Sequence, residues 1–137
     1  MNVSDKGLKA LELREGKRNA AYYDTKGIVT IGVGHVGGYE MGDVISDEEV
    51  RYLLKKDLAI VEKCLDQNVL VPLTQYQYDA LVSFIFNVGT NAFKRSTMLK
   101  YINLRNFAKA AKEFDRWHIP PEITSRRNGE RDQFMGL

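Results

Sequence analysis

The sequence predicts an α+β fold, mainly α, with a small lobe built on a β-hairpin and a larger helical lobe, the two joined by a long helix. Three features point that way. Strand-forming residues gather in one glycine-rich run between positions 20 and 34. From Asp47 onward apolar residues recur at the spacing of helices that face a core. Between these regions, Ser46-Asp-Glu-Glu49 has the form of a capping box and opens the longest periodic segment, through Val50, Leu54, Leu58, Val61 and Leu65. The length fits one domain, 1–137, with the small lobe at about 12–50 and the helical lobe at about 67–137 plus the N-terminal helix. A chain of this size buries about two-thirds of its unfolded surface and needs no staple.

Each element has a local reason. Ser4 can cap a first helix whose stripe is Leu8 and Leu11, with Glu15 on the same face and Gly16 ending it. The run AAYYDTKGIVTIGVG turns at Asp-Thr-Lys-Gly, where Gly27 can take a positive φ, and reads as a short hairpin or meander. His35 to Gly42 reads as a glycine-rich connector; no Gly-Lys-Ser/Thr follows, so it is not a phosphate cradle. Thr74 with Gln77 forms a second capping box before an almost wholly apolar helix through Leu81, Val82, Phe84, Ile85 and Val88. Ser96 and Asn106 can cap two further helices, the second ending at Arg116-Trp117, and Phe134 is an apolar anchor for the tail.

The candidate chemistry lies between Glu15 and His35. A carboxyl group at a helix C-terminus meets the negative end of the macrodipole, and partial burial also disfavours its ionised form, which suits Glu15 to donate a proton. Asp24, at a polar turn, sits where a carboxylate stays ionised, and Thr30 follows on the next strand, able to hold a water. Two acids in unlike environments are the arrangement that acid/base division of labour needs, glycoside hydrolysis included. Asp57 falls beside Leu54, Leu58 and Val61, where an unpartnered carboxylate is costly, so it requires a partner.

Composition narrows the classes. A lone Cys64 excludes an internal disulfide and a Cys-x-x-Cys site; it reads as an apolar filler, and with only His35 and His118 a zinc site is not expected. Neither metal nor cofactor is anticipated. No apolar run reaches the roughly 18 residues of a membrane span, and Met1–Ala10 has no signal-like apolar core, so a soluble chain without membrane insertion or its own export signal is expected. Residues 92–137 carry ten Lys/Arg against five Asp/Glu, whereas residues 1–91 carry ten against thirteen. A basic patch could face nucleic acid, an anionic membrane or an anionic wall polymer, but the cations are dispersed and nucleic-acid binding is not expected.

Glu15, then Asp24 nine residues on, then Thr30 six further, followed by T-I-G-V-G-H ending at His35, resembles the signature of the phage-type lysozymes, or endolysins, of glycoside hydrolase family 24. Phe86-Asn-Val-Gly89 and the tail Arg126-Arg-Asn-Gly-Glu-Arg131 extend the resemblance over nearly the whole chain. It implies a muramidase that cleaves the β-1,4 bond between N-acetylmuramic acid and N-acetylglucosamine in bacterial peptidoglycan, with Glu15 as acid and Asp24 and Thr30 handling water. Asp24 as base, nucleophile or electrostatic stabiliser stays open. The resemblance also implies Asn87 and Arg126 at the substrate cleft, Asn87 being otherwise a C-cap asparagine, and Arg126 rather than Arg127 beside Glu15, where a cation would orient the acid but favour its ionised form. It pairs His35 with Asp57, a structural tie rather than a catalytic base. A monomer is expected, made in the cytosol and reaching the wall through a holin-like protein or carried by a virion. The alternatives are a lytic transglycosylase, which needs no water-positioning aspartate, and a catalytically silent peptidoglycan-binding module.

Overall fold

Helix α1, Asp5–Glu15, begins at its cap. The Ser4 hydroxyl accepts from the Gly7 N–H at 3.0 Å and donates to the Asp79 carboxylate, which also takes the Ser4 N–H at 3.0 Å. Gly7 is required by this approach, because a Cβ there would stand 2.6 Å from Asp79 Cγ. The computed structural model describes residues 1–137 and divides into two compact units, Lys9–Ala59 and Met1–Leu8 with Ile60–Leu137.

The unit Lys9–Ala59 takes most of α1, a small sheet and the first part of a long helix. Strands β1, Arg18–Tyr23, β2, Val29–Gly32, and β3, His35–Val36, form an antiparallel meander in the order β1-β2-β3. The register pairs Tyr23 with Val29 and Ile31 with His35, and slips between Arg18 and Tyr22. His35 and Val36 are therefore strand residues, not the start of the glycine-rich connector: the main chain at Gly34, φ 69, reverses direction and lets them pair with β2. Helix α2, Asp47–Asn68, buries Val50, Leu53, Leu54 and Leu58 here and Val61, Cys64 and Leu65 beyond. Its predicted capping box forms only in part. Ser46 Oγ accepts from the Glu49 N–H at 3.1 Å, but the Glu49 carboxylate instead accepts from the Tyr39 hydroxyl at 3.0 Å.

The second unit is all helix: α3, Gln75–Val88; α4, Thr90–Lys94; α5, Thr97–Asn103; α6, Phe107–Glu113; and α7, Thr124–Phe134, with 3-10 turns at Phe114–Arg116 and Pro121–Ile123. Helix α3 carries the complete Thr74/Gln77 box and buries every residue from Tyr78 to Ile85. Ser96 and Asn106 cap α5 and α6 through the N–H groups of Leu99 and Lys109. Phe84, Phe114 and Phe134 are buried, with edge or tilted ring contacts of Phe84 to Phe114 at 5.3 Å and Phe114 to Phe134 at 5.6 Å, so the tail closes on the same core as α3. No helix is long and apolar enough to cross a membrane.

Candidate active site

Glu15 is the last residue of α1, half-buried, and Gly16 beyond it has a φ of 80 that stops the helix. Asp24 opens the reversal between β1 and β2. Its Oδ1 accepts from the Lys26 and Ile28 N–H groups, each at 2.8 Å, while its main-chain N–H donates to Ile28 O at 2.9 Å. The Gly27 N–H closes the loop on Asp24 O at 3.0 Å with φ 78. Four main-chain hydrogen bonds thus hold the acid, and two of them occupy the same carboxylate oxygen, Oδ1. Thr30, buried in β2, donates its hydroxyl proton to Ile28 O at 3.0 Å, so its oxygen keeps only lone pairs to offer.

Glu15, Asp24, Thr30, His35 and Asp57 belong to the same compact unit. His35 Nδ1 lies 2.8 Å from Asp57 Oδ2, and Nε2 lies 3.0 Å from Gly37 O. Both ring nitrogens therefore face acceptors, and Tyr39 packs edge-on against the ring at 5.8 Å. Asp47, in the first turn of α2, takes the Asn19 amide at 2.8 Å and the Lys17 ammonium at 3.0 Å, and these two bonds hold its carboxyl below the usual carboxylate range. Cys64 is buried, and burial pushes its thiol up.

Asn87 and Arg126 lie in the other unit, joined through Arg127, which the sequence names only as the alternative to Arg126, and through Glu130 and Ser83, to which it assigns no role. The helix ends at Val88 with Gly89 as its C-cap, so the expected alternative of a C-cap asparagine at 87 does not hold: the φ of 94 suits the glycine, and Asn87 is left in the last turn, exposed. Its Oδ1 accepts from Arg127 Nη2. Arg127 is buried; its Nε donates to Trp117 O at 2.9 Å, its Nη1 to Glu130 Oε1 at 2.5 Å, and its guanidinium lies 5.1 Å from the Phe84 ring centre. Glu130, wholly buried, also accepts from Ser83 Oγ at 2.6 Å and Arg126 Nε at 3.1 Å, and Arg126 Nη2 donates to Ser83 O at 2.8 Å. The i, i+3 and i, i+4 spacing of the two arginines to Glu130 was the available signal.

An acid closing a helix and a main-chain-held aspartate on the adjoining meander lie in one unit of a mainly helical chain, the arrangement expected of a lysozyme-like glycosidase. A family model described as phage lysozyme matches residues 12–130, and the chain belongs to that family. It is 43% identical over 144 residues to the endolysin of Salmonella phage P22, covering 98% of this chain and 99% of that one. The endolysin of Acyrthosiphon pisum secondary endosymbiont phage 1 is 39% identical over 137 residues, covering 100% and 90%. The crystal structure of a P22 lysozyme mutant matches with a TM-score of 0.95 at 42% identity, covering 98% and 99%. This chain is accordingly a phage endolysin of the muramidase type, a glycoside hydrolase.

Proposed function

We propose that Glu15 protonates the leaving glycosidic oxygen of peptidoglycan while Asp24 and Thr30 position a water for attack on the opposite face of the sugar. The observation that carries this reading is the hydrogen-bond state of the two water-handling groups. Asp24 Oδ1 is filled by two N–H donors and the Thr30 hydroxyl proton is committed to Ile28 O, so both groups meet a water only as acceptors. A water that gives one proton to Asp24 Oδ2 and the other to Thr30 Oγ1 keeps its own lone pair free for the anomeric carbon. The product then has inverted configuration, which requires the two carboxyl groups roughly 6.5–9.5 Å apart.

Asn87 and Arg126 bind the glycan chain in this reading, and His35 with Asp57 serves stability rather than turnover. In the same reading the protein acts as a monomer, without cofactor or metal, and reaches the wall either after a separate holin-like protein opens the membrane or as the cargo of a virion. Turbidity loss of isolated peptidoglycan tests the core of it. Glu15→Gln is expected to lower the rate by at least about a thousandfold with melting temperature unchanged or raised, because the residue is spent on the transition state and not on packing. Lysis retained by that variant removes the assignment of the acid, and proton NMR of the first-formed reducing end reads the stereochemistry.

A further inference from the structure

From Ala80 to Lys112 the chain carries six Lys/Arg and no Asp/Glu, which leaves fourteen Lys/Arg against eighteen Asp/Glu for all other residues. The six are Lys94, Arg95, Lys100, Arg105, Lys109 and Lys112, spread over α4, α5 and α6 and the turns that end α4 and α5, elements that pack in succession within one unit. All six are exposed, and none takes part in an ion pair. The first acids beyond them are already matched, Glu113 to Arg116 at 3.0 Å and Asp115 to Arg131 at 2.9 Å. Like charges gathered without a counter-charge repel one another and work against the fold, while they attract a polyanion. Asn91, Lys94 and Arg95 also line an open cavity of about 230 Å³ with no acid in its wall. A carboxamide, an ammonium and a guanidinium there supply donors for one phosphate.

We propose that the surface of α4 to α6 docks a phosphodiester polymer attached to the bacterial wall, with the Asn91, Lys94 and Arg95 cavity seating one of its phosphates. Two other polyanions fit less well. A nucleic acid is gripped by aromatic rings stacked on its bases, yet Phe93 is buried and the Tyr101 ring has Lys109 Nζ over it, 5.6 Å from its centre. An anionic membrane takes in apolar side chains as well as charge, yet Met98, Leu99, Ile102 and Ala110 are buried and Leu104 is the one large apolar side chain exposed on these helices. What the surface offers is charge alone, the complement of a flexible chain of phosphates. Docking is independent of the roles given to Glu15 and Asp24, and it keeps the enzyme on an insoluble substrate between cleavages.

Cosedimentation of the whole chain with purified walls, in brief incubations on ice, tests the proposal. The walls are taken from a bacterium that carries poly(glycerol phosphate), before and after hydrofluoric acid, which cleaves phosphodiesters and leaves the glycan. The unsubstituted protein should bind untreated walls about tenfold more tightly than stripped ones, and salt at about 0.5 M should erase the difference. With all six cations changed to Gln, binding to the two kinds of wall should be alike, while melting temperature and kcat on soluble glycan fragments stay level. Lys94→Gln with Arg95→Gln should weaken binding more than Lys109→Gln with Lys112→Gln, which removes the same charge outside the cavity; equal losses would overturn the seat for a phosphate. If the sixfold variant does not fold, these two pairs decide alone. Equal binding of the unsubstituted protein to stripped and untreated walls, or untreated walls bound as tightly after neutralisation, overturns the proposal. Tighter binding to phosphatidylglycerol vesicles or to double-stranded DNA than to untreated walls overturns the choice of partner.

Discussion

In the unit Lys9–Ala59 charged side chains meet their partners at the surface, whereas α7 takes two arginines and a glutamate almost wholly out of water. Lys17 and Asp47 pair at 3.0 Å with side chains 34% and 74% exposed, and His35 and Asp57 at 2.8 Å with 13% and 30%. Arg127 and Glu130 pair at 2.5 Å with 1% and 0%, and Arg126 adds a second cation at 9%. The exposed Lys17–Asp47 pair gains little because water competes for the same groups, and the half-buried His35–Asp57 pair gains somewhat more. The buried cluster is different in kind. Each of its charges is costly without the others, so the cluster holds one geometry and delivers that geometry to Asn87 and Arg126.

Breaking the buried side of this comparison has the largest expected effect. Glu130→Ala leaves two guanidinium groups facing a cavity without their shared carboxylate, and should lower stability by about 3–5 kcal/mol in urea denaturation. A loss under about 1 kcal/mol would mean that water or another acceptor reaches Arg127, and the contrast between the two regions would collapse.

The surface side gives a smaller number. Asp57→Asn keeps an acceptor for His35 Nδ1 but removes the charge from a part-exposed bond, and should cost about 1–2 kcal/mol with a smaller effect on turnover. The reverse ranking, turnover lost and stability kept, would move the pair from support to catalysis.

What could be read from the sequence follows the range of the interactions. Caps were legible because their partners lie within three residues: Ser4, Thr74, Ser96 and Asn106 each bond where their positions imply. The Ser46 box was half legible, because Tyr39, ten residues before Glu49, takes the carboxylate that the local pattern assigned to the helix. Helix α4 is five residues long, too short to show a period. Glu15, Asp24 and Thr30 are candidates through their spacing, whereas the main-chain grip on Asp24 shows only in the structure. The links from Arg127 to Trp117 O and Asn87 span 10 and 40 residues, so nothing local could announce them. The need for glycine at position 7 has no local sign either, because the group that occupies the space of its Cβ is Asp79, 72 positions away.

Asp47 supplies the smallest effect and the finest test of the surface pairs. Its carboxyl is lowered first by the Asn19 amide and then by Lys17, both of which favour the ionised form in the folded chain only. A carboxyl group whose folded value lies below its unfolded one stabilises the fold at every pH above the ordinary aspartate range, and that contribution disappears as pH falls through the lowered value. Asp47→Asn should therefore melt below the wild type at neutral pH, and the two melting temperatures should converge in acid, as pH falls below the lowered value. High salt should narrow the neutral-pH gap by screening Lys17 while sparing the shorter-ranged bond from Asn19. A gap that is independent of pH would assign Asp47 to the first turn of α2 through hydrogen bonding alone, and the charge on this surface pair would then contribute nothing to set against the cluster in α7.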